Sequence, residues 1–298
     1  MADQKPKPTP RPDAPIDYSM MGVEQVVNLC LQRSNRVSKL IPSLKRTPTG
    51  WPDLMRQTAT VNRDTILAEV TAEIEDMLAK IAPTIARFAP KRLADIGCGQ
   101  AFIDLLIYRR FGCDLVLIDI EQTDRIHFGF KPEGAGYADL ANARAFLVAN
   151  GVPERAITTI NPRQQALADL APVDMAISLI SCGFHYPVAT YDSFFQTQVR
   201  KAILLDCRTS RPDGATTLAS YGQVESVGRE KKHERLLCVK AAPKAVPKTA
   251  AKPASKPASK PASKAASKPA SKAASKPASK VAAKPAPKPA SKPAARSR

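Results

Sequence analysis

Hydrophobic positions in this chain recur at two periods, and the change from one to the other falls near residue 91. Before it, Val23, Val26, Val27, Cys30 and Leu31 repeat at the i, i+3, i+4, i+7, i+8 spacing of one helix face. Ile66, Leu67, Val70, Ile74, Met77, Leu78, Ile81 and Ile85 mark a second, longer helix, which Pro83 is expected to kink or end. Between the two, residues 41–53 carry three prolines and a glycine and read as a connector. These helices predict an N-terminal cap over residues 16–90.

After residue 91 the apolar runs become short and alternate with helical stretches, the pattern of βαβ units and a parallel sheet. Strands are predicted at 92–96, 114–118, 156–160, 174–179 and 202–206, with helices at 102–110, 137–150 and 190–201. Two last strands, 224–228 and 235–240, flank a polar run and predict a hairpin. The expected fold is therefore α/β, a Rossmann-like, mostly parallel sheet over 91–240 closed by an antiparallel hairpin.

Charge changes the picture at both ends. Of the formal +18, residues 241–298 carry 13 Lys and 2 Arg with no acid, leaving 30 basic against 27 acidic residues before them. Lysine recurs there at every fourth position from Lys244 to Lys292, mostly as Lys-Pro-Ala-Ser or Lys-Ala-Ala-Ser. Prolines prevent a sustained helix, so a disordered or polyproline tail is expected. Residues 1–15, with five prolines, read as a disordered lead. That lead has no apolar stretch of the kind a secretory signal needs, and no run of about 18 apolar residues occurs elsewhere. Six scattered cysteines form no CxxC pair, so no metal site is expected and a cytoplasmic location is.

Candidate chemistry gathers between residues 93 and 119. Leu93-Ala94-Asp95-Ile96-Gly97-Cys98-Gly99-Gln100-Ala101 is an apolar strand entering a glycine turn and then a helix. Glycines there let the backbone approach a ligand closely. The next strand ends on Asp119, 20 residues beyond Gly99, where a carboxylate can accept hydrogen bonds from both ribose hydroxyls of an adenosine. A dinucleotide fingerprint would need a glycine at 102, but Phe102 stands there. Asp95 would repel a pyrophosphate, whereas it suits S-adenosylmethionine (SAM), which carries an ammonium and a sulfonium. The helix N-terminus remains available to the SAM carboxylate.

These residues resemble the first motif of the class I SAM-dependent methyltransferases, an acid followed by spaced glycines. Asp95, Gly97 and Gly99 match it, and Ala101 replaces its third glycine. The resemblance covers about 91–240. It implies that Asp95 and the glycine loop hold the methionine part, Asp119 the ribose and Asn161 the adenine. Two stretches, Ile118-Asp119-Ile120-Glu121 leading to His127-Phe128-Gly129-Phe130, and Ser181-Cys182-Gly183-Phe184-His185-Tyr186-Pro187, are similar to sugar O-methyltransferases. The tail resembles the Lys/Ala/Pro-rich tails of linker histones.

Methyl transfer to a hydroxyl needs a base poised near neutrality, and His185, just past the fourth strand, is the candidate. A capping role in its loop is the competing reading. His127, in the long connection after Asp119, and Tyr186 are candidate acceptor contacts, with a solvated loop and core packing as the alternatives. Cys98 reads as a small packing residue, Asp174 as a strand-start residue and His233 as a solvent-exposed one. Three functions stay open: O-methylation of a small hydroxylated acceptor such as a sugar, a nucleic-acid-associated methyltransferase targeted by residues 241–298, and a non-catalytic binding protein. Neither a membrane partner nor any particular oligomeric state is implied.

Overall fold

The computed structural model describes residues 13–33, 51–121, 136 and 138–241. The predicted lead, most of the connector, the loop with His127 and the basic tail lie largely or wholly outside the described residues. All described residues belong to the first of the two units into which the chain divides, Met1–Ala245.

Three helices precede the sheet: α1 (Val23–Gln32), α2 (Trp51–Val61) and α3 (Arg63–Phe88). Then follow β1 (Arg92–Ile96), α4 (Phe102–Phe111), β2 (Asp114–Ile118), α5 (Leu140–Ala149), β3 (Ile157–Ile160) and β4 (Val173–Ser178). The chain continues through α6 (Asp192–Thr197), β5 (Val199–Arg208), α7 (Asp213–Ala219), β6 (Gly222–Arg229) and β7 (His233–Lys240). The strands form one sheet in the order β3-β2-β1-β4-β5-β7-β6. The first five are parallel, and β7 runs antiparallel to both β5 and β6.

Period-two alternation sorts the sheet's side chains into two cores. Leu93, Leu115, Leu117, Met175, Ile177 and Leu204 share one core with the cap helices, α4 and α5. Ala94, Ile96, Val116, Ile118, Ala176 and Ile203 share the other with α6 and α7. The parallel strands are buried on both faces, as continuous apolar runs require. The order of connections reverses between β1 and β4, so the crevice beyond their carboxyl ends is where an open α/β sheet receives a ligand.

Several expectations change in detail. Pro83 does not end its helix, which runs on to Phe88 because Ile81, Ala82 and Ile85 on either side are all buried. The connector gives way to helix α2 at Trp51, with Pro52 in its first turn, where a missing N–H is tolerated. The helix expected at 190–201 is a 3-10 turn at Val188–Tyr191 followed by the short α6, and 199–201 already belong to β5, where Val199 pairs with Val173. Helix α7, with Leu218 its one large apolar residue held in the core, shows too little periodicity to be read from sequence.

Candidate functional site

Two hydrogen bonds tie the glycine turn to the end of β2. Gly97, at φ +80°, donates its N–H to the Ile118 carbonyl at 2.7 Å, and Gly99, at φ +57°, donates to Asp119 Oδ2 at 3.1 Å. Both positions need glycine for a second reason. A Cβ on Gly97 would stand 2.1 Å from Ser181 Oγ, and one on Gly99 would stand 2.7 Å from Gln32 Nε2. So the turn is covered by Ser181 from beyond β4 and by Gln32 from the end of α1.

Strain gathers at this edge. Ala101, Glu121 and Ile180 all take positive φ, near +60°, just past β1, β2 and β4, and only Ala89 shares that conformation among the described non-glycine residues. Such backbone costs about 1–3 kcal/mol per residue and persists where surrounding structure enforces it, often at ligand sites.

The carboxylates are the site's main electrostatic feature. Asp95 is 2% exposed, and its Oδ1 has no hydrogen-bond partner. Asp104, in the first turn of α4, is fully buried, and neither of its oxygens meets a conventional donor. Burial, followed by the negative charges of Asp104 and Asp119, pushes the Asp95 carboxyl well above the usual carboxylate range. Burial also raises Asp104 to about 7. Asp119 is raised to about 6 by burial, against hydrogen bonds from the backbone N–H groups of Gly99, Ile120 and Glu121. Three buried acids thus lie together with no cation between them among the described residues, an arrangement that favours an incoming positive charge.

Asn161 is buried at the end of β3, but its amide serves neighbours. Its Nδ2 donates to Glu121 Oε2 at 2.8 Å, and its Oδ1 accepts from the Arg163 N–H at 3.0 Å. Glu121 Oε1 in turn accepts from the Leu140 N–H at 3.3 Å, tying β2, α5 and β3 together at the crevice. Glu121 was missed as a site residue from sequence, although its place two residues past Asp119 was the available signal.

One cavity of about 560 Å³ opens here, within the range of small-ligand sites. Asp95, Gly97, Gly99, Asp119, His185 and Tyr186 all line it, as do Leu29, Ile74 and Met77 of the cap. His185 is half-buried, its N–H bonded to the Ser181 carbonyl at 2.8 Å and its ring set edge-on to Phe184. The Tyr186 hydroxyl meets Ser181 Oγ at 3.0 Å, and burial raises the phenol well above its ordinary value. His127 lies outside the described residues. Cys98 is a buried thiol whose titration burial pushes upward, in keeping with a packing role. Asp174 accepts the N–H groups of Lys91 and Arg92 and pins the start of β1.

His233 is a correction. It is 8% exposed, with Nε2 3.7 Å from Asp206 Oδ2 and its ring edge-on to Phe184. Its charged neighbours in sequence suggested solvent, but pairing opposite Arg208 turns it inward. Among the described residues no His/Cys/Asp/Glu cluster suits a metal ion, and no helix is long and apolar enough to cross a membrane.

The sheet order, the reversal at β1/β4 and the glycine edge define a Rossmann-like α/β fold. No family profile matches the sequence, and no curated protein does. Among solved structures, WbdD bound to a kinase inhibitor is 17% identical over 56% of this chain and 40% of that one, with a TM-score of 0.38. The T. thermophilus 16S rRNA N2 G1207 methyltransferase RsmC, in complex with AdoMet and guanosine, is 13% identical over 55% and 42%, with a TM-score of 0.39. Cofactor-bound Rv0187 from MTB is 16% identical over 66% of this chain and 100% of that one, with a TM-score of 0.41. The chain spans about two fifths of the length of WbdD and RsmC. Likeness at these identities bears on fold alone.

Proposed function

We propose that the chain is a SAM-dependent methyltransferase that methylates a hydroxyl of a small acceptor such as a sugar. The observation that carries this reading is Asp95, a buried carboxylate with an unpartnered oxygen beside a glycine turn and facing two further acids. Burial disfavours the ionised form of this carboxyl, and a ligand ammonium and sulfonium beside it would stabilise that form. SAM brings both, with no phosphate to be repelled. Asp119 retains acceptor capacity for ribose hydroxyls, because a carboxylate offers about four lone-pair positions and its protein partners use only some of them.

Bound SAM supplies an electrophilic methyl group. The chain's own residues supply position, dryness and a base. The cap side chains Leu29, Ile74 and Met77 close one side of the cavity and keep water from the reacting atoms. His185 faces the same cavity and takes the hydroxyl proton on a ring nitrogen as the oxygen attacks. Tyr186 and Ser181 present hydroxyls beside it to orient the acceptor. Residues 241–298, with their unopposed positive charge, provide an accessory contact for a polyanion apart from the chemistry.

Titration calorimetry with SAM tests the cofactor. Asp119→Ala should weaken binding by roughly tenfold or more, the worth of hydrogen bonds to a charged group; unchanged affinity would remove Asp119 from the site. With labelled SAM and a panel of neutral sugars and other small hydroxyl compounds, His185→Gln should lower turnover by about 10²–10⁴ with SAM affinity preserved. Removing residues 241–298 should leave that transfer intact. Activity confined to nucleic acid and lost with the tail would replace this reading with the polynucleotide one.

A further inference from the structure

The amino-acid end of SAM is a zwitterion, so its ammonium and its carboxylate need separate partners. Asp95 meets the first. The obvious partner for the second is the N-terminus of α4, yet Asp104 already places a fully buried carboxyl in that helix's first turn. With Asp95 and Asp119 close by, a further carboxylate would enter a region that already holds excess negative charge. A cation is required, and among the described residues two line the cavity, Arg33 and Arg163. Arg163 follows β3, on the side of Asp119 and Asn161, where the ribose and adenine would lie. Arg33 stands at the other end, on the cap.

We propose that Arg33 receives the carboxylate of the cofactor, which makes the helical cap part of the cofactor site; this rests on the SAM reading above. Arg33 immediately follows α1, and its Nη1 donates to Gln32 Oε1 at 3.4 Å. The Gln32 amide atoms lie 2.7 and 3.0 Å from where a Cβ on Gly99 would stand. One side chain therefore separates the guanidinium from the glycine turn. Glu73 of α3 approaches Arg33 Nε at 3.7 Å, and the two side chains are 18% and 27% exposed. Arg33 and Glu73 both line the cavity. A guanidinium has five donors in a planar fork that matches a carboxylate, so one arginine can serve more than one partner. Opposite charges are then met by opposite partners, Asp95 from the sheet and Arg33 from the cap.

Calorimetry on the full chain tests this with two ligands, SAM and decarboxylated SAM, which keeps the ammonium and sulfonium but lacks the carboxylate. Arg33→Gln should weaken SAM roughly ten- to a hundredfold and leave decarboxylated SAM unchanged. Arg33→Lys, which keeps the charge but loses the bidentate fork, should fall between and serves if the Gln variant misfolds. An equal loss for both ligands would reduce Arg33 to a cap-folding role and overturn the proposal, as would undiminished SAM affinity. Failure of the unaltered chain to bind either ligand would instead overturn the SAM reading itself.

Discussion

Two buried aspartates, Asp206 and Asp95, sit on the same sheet at 0% and 2% exposure and live in opposite circumstances. Asp206 on β5 faces Arg235 on β7 across an antiparallel pair. Arg235 Nε and Nη2 reach its two oxygens at 2.7 and 2.9 Å, and His233 stands behind. Asp95 on β1 has no cationic partner among the described residues, one oxygen without a hydrogen-bond partner, and the acids Asp104, to which its side chain is hydrogen-bonded, and Asp119 as neighbours. The folded chain completes the first ion pair by itself. The second is incomplete, and it lies at the switch point where α/β sheets bind ligands. The difference separates an acid that the fold itself neutralises from one whose counter-charge the described residues do not supply.

The largest expected effect tests the structural member. Asp206→Ala leaves Arg235 buried without its counter-charge and should cost about 3–5 kcal/mol in urea unfolding, with SAM affinity of the folded fraction preserved. A stable variant with weakened SAM binding would reverse the two roles. Asp95→Asn should do the opposite. SAM affinity should fall about tenfold or more, because a neutral amide cannot pair with the ligand's ammonium, while the ligand-free fold is retained.

The comparison also has a pH signature. Asp104 and Asp119 titrate at about 7 and about 6 in the folded chain, each above the ordinary 3.8. An acid so raised holds its proton longer when folded. The contribution of these two groups to the stability of the ligand-free protein should therefore be fully present below about 4 and be lost as pH rises through 6 to 7. Because a cationic ligand prefers the ionised acids, SAM affinity should rise over the same upper window. Thermal melts with and without SAM from pH 5 to 7.5 would check both slopes. At the small end, Lys80→Ala breaks an exposed contact with Glu230, the side chains being 60% and 50% accessible. It should change stability by less than about 1 kcal/mol, the ordinary worth of a surface pair.

How much of this was legible in sequence depended on chain distance. Strands β1 and β2 were placed to the residue, because strands buried on both faces write continuous apolar runs. The turn from Asp95 to Asp119 was legible for the same local reason, being one unbroken βαβ unit. Helices α2 and α7 were not, since neither carries a long apolar stripe. Gln32, Arg33 and Glu73 reach the cavity from elements more than 20 residues away, and nothing in their own neighbourhood announces it. His233 was misread because a run of charged neighbours hides a register that only pairing with β5 sets.

The place of β7 has a consequence in time. The last strand in sequence is not at the sheet's edge but between β5 and β6, antiparallel to both. During synthesis β5 must therefore wait with one side unpaired until residue 240 has emerged, and an unpaired apolar strand is an invitation to other chains. Arg235, the third residue of β7, arrives to neutralise Asp206 in the same event that ends the wait. A chain stopped before residue 233 should thus be prone to aggregation rather than merely less stable, while one stopped just past 241 has every strand of the described sheet.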